Sequence, residues 1–355
     1  MKYSIIVPVF NRPNEVDELL ESLTIQTLTN FEVVIVEDGS KITCKDVCDK
    51  YSEKLDLKYF MKENSGPGQS RNYGAEKANG EYLIILDSDV VLPENYVKAI
   101  DDEIHNNDTD AFGGPDRAHD SFTDTQKAIS YSMTSFFTTG GIRGGKKKLD
   151  KFYPRSFNMG IKRDVYTKLN GFSDMRFGED IDFSIRIFKS GYKCRLFPDA
   201  WVWHKRRTDF NKFWRQVFNS GIARINLYKK YPESLKLVHL LPMVFTVGMI
   251  FLFTLCISGI ITMLTTDEGK WQTAGYIMTL CAVLPIILYC LLIFTDSTKV
   301  NKSIKVGLLS IVAAYVQLTG YGCGFINSWW KRCVRGKDEF SAYKKNILQI
   351  KKWKN

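Results

Sequence analysis

Two aspartates flank a serine at the end of an apolar segment, in the stretch EYLIILDSDVVLPENYV at residues 81–97. Residues 82–86 read as a buried strand, which runs directly into Asp87 and Asp89. Carboxylates in this position are costly unless they meet water, a partner or a cation. Hard cations such as Mg²⁺ and Mn²⁺ take few carboxylates and use substrate phosphates as further ligands. If a diphosphate binds here, a divalent cation held by Asp89 would neutralise it.

Short apolar strands alternate with helical segments in the part of the chain that surrounds these aspartates. The alternation predicts an α/β fold with a Rossmann-like, mostly parallel sheet flanked by helices on both faces. Ligands of such sheets bind beyond the carboxyl ends of the strands. Three predicted strands end in polar residues at that edge: Asn11 and Arg12, Glu37 and Asp38, and Asp87 to Asp89. The aspartates thus lie where a ligand is expected.

The first predicted strand argues against two nucleotide-binding classes that share this architecture. Dinucleotide-binding Rossmann domains carry GxGxxG after that strand, so that the backbone can approach a pyrophosphate. Here the strand gives PVFNRP at residues 8–13, without a glycine. Sugar-nucleotide nucleotidyltransferases also begin with a glycine-rich loop, which this chain lacks.

Five segments, in order, resemble glycosyltransferase family 2, whose members are inverting enzymes of the GT-A fold that use nucleotide-diphosphate sugars. They cover most of residues 1–236, and five ordered pieces are far more specific than a single DxD motif. The segments are IIVPVFNR at 5–12, VVIVEDGS at 33–40, NSGPGQSRNYGAEKANGEYLIILDSD at 64–89, FNMGIKRDVYTKLNGFSDMRFGEDIDFSIRIFKSGY at 157–192 and FPDAWVWHKR at 197–206.

The resemblance implies roles for the residues at matching positions. Asp180 of the GED triplet matches the catalytic base, and Glu179 and Asn158 are implied as acceptor-side or supporting residues. Asp89 matches the ligand of a Mg²⁺ or Mn²⁺ ion on the diphosphate, and His204 matches a histidine that completes the metal site in several relatives. Donor-binding roles are implied for Pro8, Asn11, Glu37, Asp38, Arg71 and Asp87. Within that set, Asp38 would bind the base and Asp87 would face the ribose.

Several of these residues have an ordinary structural interpretation that stays open. Asp38 precedes a glycine, which is a common turn signal. Asp180 could stabilise the start of a helix, and His204 could be a satisfied histidine at a strand end. Glu179 and Asp182 compete with Asp180 for the role of base, although the i, i+4 spacing of Asp182 to Arg186 predicts an intrahelical ion pair.

Three long uncharged segments follow the predicted catalytic domain, at residues 240–264, 271–294 and 306–330. A helix needs about 20 apolar residues to cross the hydrocarbon core, so each segment is long enough. We divide the chain into four parts: a GT-A catalytic domain at 1–210, an interfacial amphipathic helix and linker at 211–236, a transmembrane region at 237–330, and a basic tail at 331–355. Gln216 is followed by VFNSG, so the QxxRW motif of processive relatives is missing and addition of single sugars is expected.

The formal net charge is +10, and nine Lys or Arg residues follow Trp330. Basic residues beside a membrane segment favour anionic lipid headgroups as partners and not nucleic acid. The eight scattered cysteines form no CxxC, and the first residues lead directly into a strand without a signal peptide. We expect a multi-pass protein of the bacterial inner or plasma membrane with a cytoplasmic catalytic domain.

The sequence leaves two alternatives each for the number of membrane crossings and for the role of the segment at 138–155. Three crossings would place the basic tail outside the cell, against the positive-inside tendency, so either the tail breaks the rule or one segment fails to cross. The glycine-rich, basic segment at 138–155 is either a surface loop or a flap over the substrate.

The sequence predicts a metal-dependent transferase that moves a sugar from a UDP- or GDP-sugar, with inversion, to a lipid-linked or membrane-proximal glycan in polysaccharide biosynthesis. The alternative within the class is a polyprenyl-phosphate monosaccharide synthase, whose acceptor is the lipid phosphate. The alternative from another class is a non-catalytic membrane scaffold that binds sugar nucleotides.

Overall fold

The computed structural model describes residues 2–117, 121–140 and 152–339. They form two units. The sheet unit consists of the described residues within Met1–Ser121 and Lys148–Lys205, and the helical unit of those within Phe122–Lys147 and Arg206–Asn355. Most of the segment 138–155, for which a flap was considered, lies outside the described residues, as does the tail beyond residue 339. The four-part division made from the sequence stays a prediction.

The described part of the sheet unit holds ten strands. They are Tyr3–Val9 (β1), Phe31–Asp38 (β2), Leu57–Lys62 (β3), Tyr82–Leu86 (β4), Val90–Val91 (β5), Ala111–Gly113 (β6), Asp116–Arg117 (β7), Asn158–Lys162 (β8), Cys194–Leu196 (β9) and Val202–His204 (β10).

Twelve α-helices are found in the described residues of both units. They are Pro13–Thr24 (α1), Lys45–Tyr51 (α2), Pro67–Lys77 (α3), Tyr96–Asn106 (α4), Asp124–Thr134 (α5), Phe136–Thr139 (α6), Arg163–Lys168 (α7), Glu179–Lys189 (α8), Phe210–Lys230 (α9), Leu241–Thr265 (α10), Lys270–Asn301 (α11) and Ile304–Trp329 (α12).

Seven strands form the main sheet in the order β3-β2-β1-β4-β8-β6-β9. The first four strands are parallel to one another, and β8 is antiparallel to both of its neighbours. Alternate residues of the central strands face opposite sides, as the two-residue period of a strand requires. Ile5 packs into one apolar cluster with α1, α2 and α4, whereas Ile6 packs into a second with α7 and α8. The predicted mostly parallel α/β fold of the GT-A type is confirmed.

The helical unit contains three helices that are long and apolar enough to cross a membrane, as predicted. Their lengths are 25, 32 and 26 residues for α10, α11 and α12. Only 11% of the most apolar stretch is buried in each of α10 and α11, against 44% in the segment that begins with α12. The first two helices therefore present apolar surface along most of their length, and a larger share of the third is buried.

Candidate functional site

Residues Asp87, Ser88 and Asp89, here called the acidic triplet, begin where the buried strand β4 ends. Strand β10 pairs antiparallel with β5 and places His204 opposite Val90, so that its imidazole comes close to the triplet. His204 Nε2 lies 3.2 Å from Asp89 Oδ1. Asp87, Asp89 and His204 each contribute one oxygen or nitrogen atom to a group whose atoms lie within 4.8 Å of one another. Two carboxylates and an imidazole make a donor set that suits a divalent cation.

Asp89 is held in its charged form by neighbouring groups. Its side chain is 8% exposed, and Nη1 of Arg12 contacts its second carboxylate oxygen. Burial alone would raise the pKa of Asp89, but the hydrogen bonds and positive charge of His204 and Arg12 outweigh burial and keep this pKa well below its usual range. The ring of His204 stacks on Phe157 with 4.9 Å between centroids, and its Nδ1 is buried without a hydrogen-bond partner among the described residues. With Asp89 in its charged form and Nε2 of His204 directed at it, the group fits a metal site.

Arg71 connects this group to the start of helix α8. Its guanidinium is 4% exposed, with Nη2 lying 2.9 Å from Asp87 Oδ1 and Nη1 lying 3.1 Å from Glu179 Oε1. It also lies over the ring of Phe172, 5.2 Å from the centroid. The sequence predicted Arg71 as a donor-binding residue, and that role stays a prediction. In the structure its charge compensates two carboxylates that belong to different parts of the site.

The start of α8 presents the two carboxylates of the GED triplet. Gly178 precedes the helix with a φ of +89°, a conformation that favours glycine. Asp180 Oδ2 lies 2.8 Å from Nε of Arg155, a side chain that is 37% exposed. Burial and the neighbouring charge of Asp180 raise the pKa of Glu179, and the positive charge of Arg71 offsets them only in part.

Asp182, the competing carboxylate, lies in the interior instead. It is fully buried, its Oδ2 lies 3.0 Å from Nε of Arg186, and it accepts a hydrogen bond of 2.8 Å from Ser173 Oγ. The predicted i, i+4 ion pair is confirmed. Of the three candidate carboxylates on α8, Glu179 and Asp180 therefore remain available as a base.

Residues expected near the nucleotide brace the loops at the ends of β1, β2 and β3. Asp38 accepts hydrogen bonds from the backbone N–H groups of Ser65 and Gly66, each at 2.9 Å, and its Oδ1 lies 2.7 Å from Lys62 Nζ. Asn11 has a φ of +54°, and its Oδ1 accepts hydrogen bonds from the backbone of the loop that follows β2. Pro8 lies within β1. The donor-binding roles of these residues stay predictions.

Two other predicted residues point into the protein. Glu37 is fully buried and accepts hydrogen bonds from the hydroxyl of Ser40 and from the backbone N–H of Cys44, the latter at 2.8 Å. Asn158 is also fully buried; its Nδ2 donates to the carbonyl of Ala200 at 2.8 Å, and its Oδ1 accepts from the hydroxyl of Tyr96 at 2.7 Å. Both residues hold neighbouring loops in place through these hydrogen bonds, and the donor-binding role of Glu37 stays a prediction.

Sequence reasoning did not assign a role to Arg12 or Arg155, which contact Asp89 and Asp180. The position of Arg12 at the carboxyl edge of β1 was a signal that could have been used. Arg155 offered no such signal, because it lies at the end of a loop whose path cannot be derived from local sequence.

Comparison with known proteins gives matches at the level of family and of fold. A family model described as glycosyl transferase family 2 matches residues 4–169. Glycosyltransferase GlyG of Streptococcus pneumoniae is 31% identical over 268 residues, which cover 66% of this chain and 88% of GlyG. Poly(ribitol-phosphate) beta-N-acetylglucosaminyltransferase TarS of Staphylococcus aureus is 39% identical over 112 residues, or 30% of this chain and 20% of TarS.

A solved structure shares the fold over nearly the whole chain. Mannosyltransferase PcManGT from Pyrobaculum calidifontis, in complex with GDP-Man and Mn²⁺, has a TM-score of 0.54 and 15% identity, and the match covers 93% of this chain and 88% of that chain. At this identity the likeness concerns the fold alone. The chain spans only 14–20% of several curated relatives that it matches over short stretches, among them an uncharacterized glycosyltransferase of Rickettsia felis.

Proposed function

Because this chain belongs to glycosyltransferase family 2, a family of enzymes that use nucleotide sugars, we propose that it transfers a sugar with inversion to a lipid-linked or membrane-proximal glycan. The donor in this proposal is a UDP- or GDP-sugar, and the product serves polysaccharide synthesis. The observation that carries the proposal is the convergence of Asp87, Asp89 and His204 at the end of β4, connected through Arg71 to the GED carboxylates.

The first part of the proposal concerns the donor diphosphate. Asp87, Asp89 and His204 would hold a Mn²⁺ or Mg²⁺ ion, and the closeness of their donor atoms, with His204 Nε2 3.2 Å from Asp89 Oδ1, supports this assignment. When bound, such an ion acts as a Lewis acid and stabilises the charge that develops on the departing diphosphate. Arg12 adds a guanidinium at the same place, since it already contacts Asp89. The Mn²⁺ and GDP-Man in the PcManGT complex are consistent with this donor site.

The second part concerns the acceptor. An acceptor hydroxyl attacks the anomeric carbon, the carbon–oxygen bond to the diphosphate breaks with its electron pair leaving on the diphosphate, and the hydroxyl proton passes to a carboxylate. We assign this base to Asp180. Its partner Arg155 is 37% exposed, whereas Glu179 pairs with Arg71, which is 4% exposed. A single displacement of this kind inverts the anomeric centre.

The third part concerns the location of the enzyme. Helices α10 and α11 expose apolar surface that suits the lipid interior, which supports a membrane anchor. We place this anchor in the bacterial inner or plasma membrane, with catalysis on the cytoplasmic side. An anchored enzyme meets lipid-carried acceptors at high local concentration. The name of TarS, a transferase acting on a poly(ribitol-phosphate), supports a glycan acceptor in preference to a bare lipid phosphate.

The test uses the full chain purified in detergent and screened against UDP- and GDP-sugars with Mn²⁺, Mg²⁺ or excess chelator. We expect nucleotide-dependent thermal stabilisation that needs the metal, and transfer to a lipid-diphosphate-sugar acceptor. Transfer to polyprenyl phosphate instead would identify the monosaccharide synthase alternative. Undiminished transfer in excess chelator would refute the metal assignment, and nucleotide binding without transfer to either acceptor class would favour the scaffold.

Two substitutions separate the assigned roles. Asp89→Asn should abolish transfer together with metal-dependent nucleotide binding, whereas Asp180→Asn should abolish transfer and leave that binding intact. Asp102→Asn is the matched control, because Asp102 forms an exposed pair with Lys98 outside the site. Full transfer by either site variant would show that its residue does not have the assigned role.

A further inference from the structure

The small residues of α12 pack against other helices of the helical unit. The buried residues of α12 include many small ones: Gly307, Ser310, Ala313, Ala314, Gly320, Gly322, Gly324 and Ser328. Small side chains allow helix backbones to approach closely. A larger share of α12 than of α10 or α11 is therefore buried within the helical unit, although Leu308 and Val312 remain exposed.

Helix α9 covers the C-terminal half of α12. A Cβ on Gly320 would lie 2.5 Å from Cγ2 of Val217. Farther along both helices, Nη1 of Arg332, in the turn that follows α12, donates to Oδ1 of Asn226 at 2.8 Å. From the first contact to the second, the residue numbers rise on both helices. Helices α9 and α12 therefore lie side by side and parallel.

The polar residues of α9 are incompatible with a crossing by α12. Lys212 and Arg215 precede Val217 on α9, and Val217 is level with Gly320. At a rise of about 1.5 Å per residue, these cations lie level with the middle of α12. If α12 crossed the membrane, they would stand near the centre of the bilayer, where a Lys or Arg side chain is costly.

Helix α5 covers the N-terminal half of α12 and is polar as well. Ala128 and Ile129 of α5 share an apolar cluster with Val306 of α12. Beside that cluster, Lys305 Nζ lies 2.8 Å from Asp124 Oδ2. Both halves of α12 thus pack against a helix that carries charged residues.

Helices α10 and α11 differ from α12 because they pack on each other and leave many of their other apolar side chains exposed. They pack closely on each other, since a Cβ on Gly259 would lie 2.8 Å from the carbonyl oxygen of Gly275. Leucines and isoleucines elsewhere on both helices are exposed, among them Leu264 at 81% and Leu280 at 61%. This is the surface expected of an antiparallel hairpin in lipid.

We propose that α10 and α11 cross the membrane as a hairpin, and that α12 lies with α5 and α9 in a layer on one face of the membrane. The charges of the connecting segments agree with two crossings. The α10–α11 turn carries Asp267 and Glu268, whereas Lys302 and the nine Lys and Arg residues after Trp330 then fall together on the opposite side, as the positive-inside rule requires. The inference concerns the anchor alone and does not depend on sugar transfer.

The test locates short epitope tags in the full chain expressed in bacterial cells. Separate versions carry a tag after Asp267, after Lys302 or after the last residue, and protease access is compared in spheroplasts and in lysed cells. We expect the tag after Asp267 to be cleaved in spheroplasts, and the other two only after lysis. A monodisperse profile in detergent for each tagged version checks that the chain has folded.

Two outcomes would overturn the proposal. Three crossings would place the C-terminal tag on the side opposite the tag after Lys302, so cleavage of the C-terminal tag in intact spheroplasts refutes the hairpin. Protection of the tag after Asp267 in spheroplasts refutes it too, because α10 and α11 would then not cross. The C-terminal tag interrupts no described helix, so its result stands even if an internal insertion prevents folding.

Discussion

Replacement of Arg71 by methionine tests the link between the metal-binding group and the start of α8. Arg71 is 4% exposed and pairs with Asp87 and Glu179 at 2.9 and 3.1 Å. Methionine keeps much of the volume of the side chain but removes the charge and every hydrogen-bond donor. Both carboxylates then lose a buried cationic partner, and the folded state should be destabilised.

The expected magnitude follows from the burial of the two carboxylates. Removal of one partner from a buried ion pair costs about 3–5 kcal/mol, because the remaining charge is uncompensated. Asp87 is 31% exposed and Glu179 is 13% exposed, so water solvates Asp87 better and most of the cost falls on Glu179. Adding Glu179→Gln to Arg71→Met should therefore recover roughly 1–3 kcal/mol by removing that charge.

The assay is unfolding of the full chain in detergent, followed by intrinsic tryptophan fluorescence. A loss of about 3–5 kcal/mol corresponds to a fall in the unfolding midpoint of roughly 6–20 °C for a domain of this size. The matched control is Lys98→Met, which removes an exposed cation and should change stability by less than about 1 kcal/mol. The reasoning fails if Arg71→Met behaves like this control, or if adding Glu179→Gln deepens the loss.

Two other predictions concern the same unit. Because burial raises the pKa of Glu179 from about 4.5, the folded state keeps this proton to higher pH than the unfolded chain, and its contribution to stability falls as the pH rises from that value through the raised pKa. Glu179→Gln should flatten this slope in denaturant unfolding measured from pH 4.5 upward, and an unchanged slope would contradict the assignment. In the sheet, a Cβ on Gly160 would lie 1.9 Å from the ring of Phe112, so Gly160→Ala should cost about 1–3 kcal/mol through overpacking. A second substitution, Phe112→Leu, should restore part of that loss, and no recovery would locate the strain elsewhere.

Much of the fold could be predicted because its signals are local. Apolar segments of strand length that end in polar residues identified β1, β2 and β4, and with them the edge of the sheet where Asp38, Asp87 and Asp89 lie. The i, i+4 spacing of Asp182 and Arg186 gave their ion pair. The length of the three C-terminal segments gave three helices that could cross a membrane. Each of these inferences depends on neighbours within a few residues.

The sequence by itself determined the chemistry available to this protein: which carboxylates, cations and apolar segments it has, and in what order. The tertiary structure alone decided how they pair. The antiparallel pairing of β10 with β5 brings His204 to Asp89, Arg71 joins Asp87 to Glu179, and α5 and α9 pack against α12. These contacts join residues far apart in the chain, and local periodicity carries no information about which distant segments will pack together. Adjacent residues can also have distant partners in different places: Glu37 and Asp38 are neighbours in sequence, yet they contact different loops.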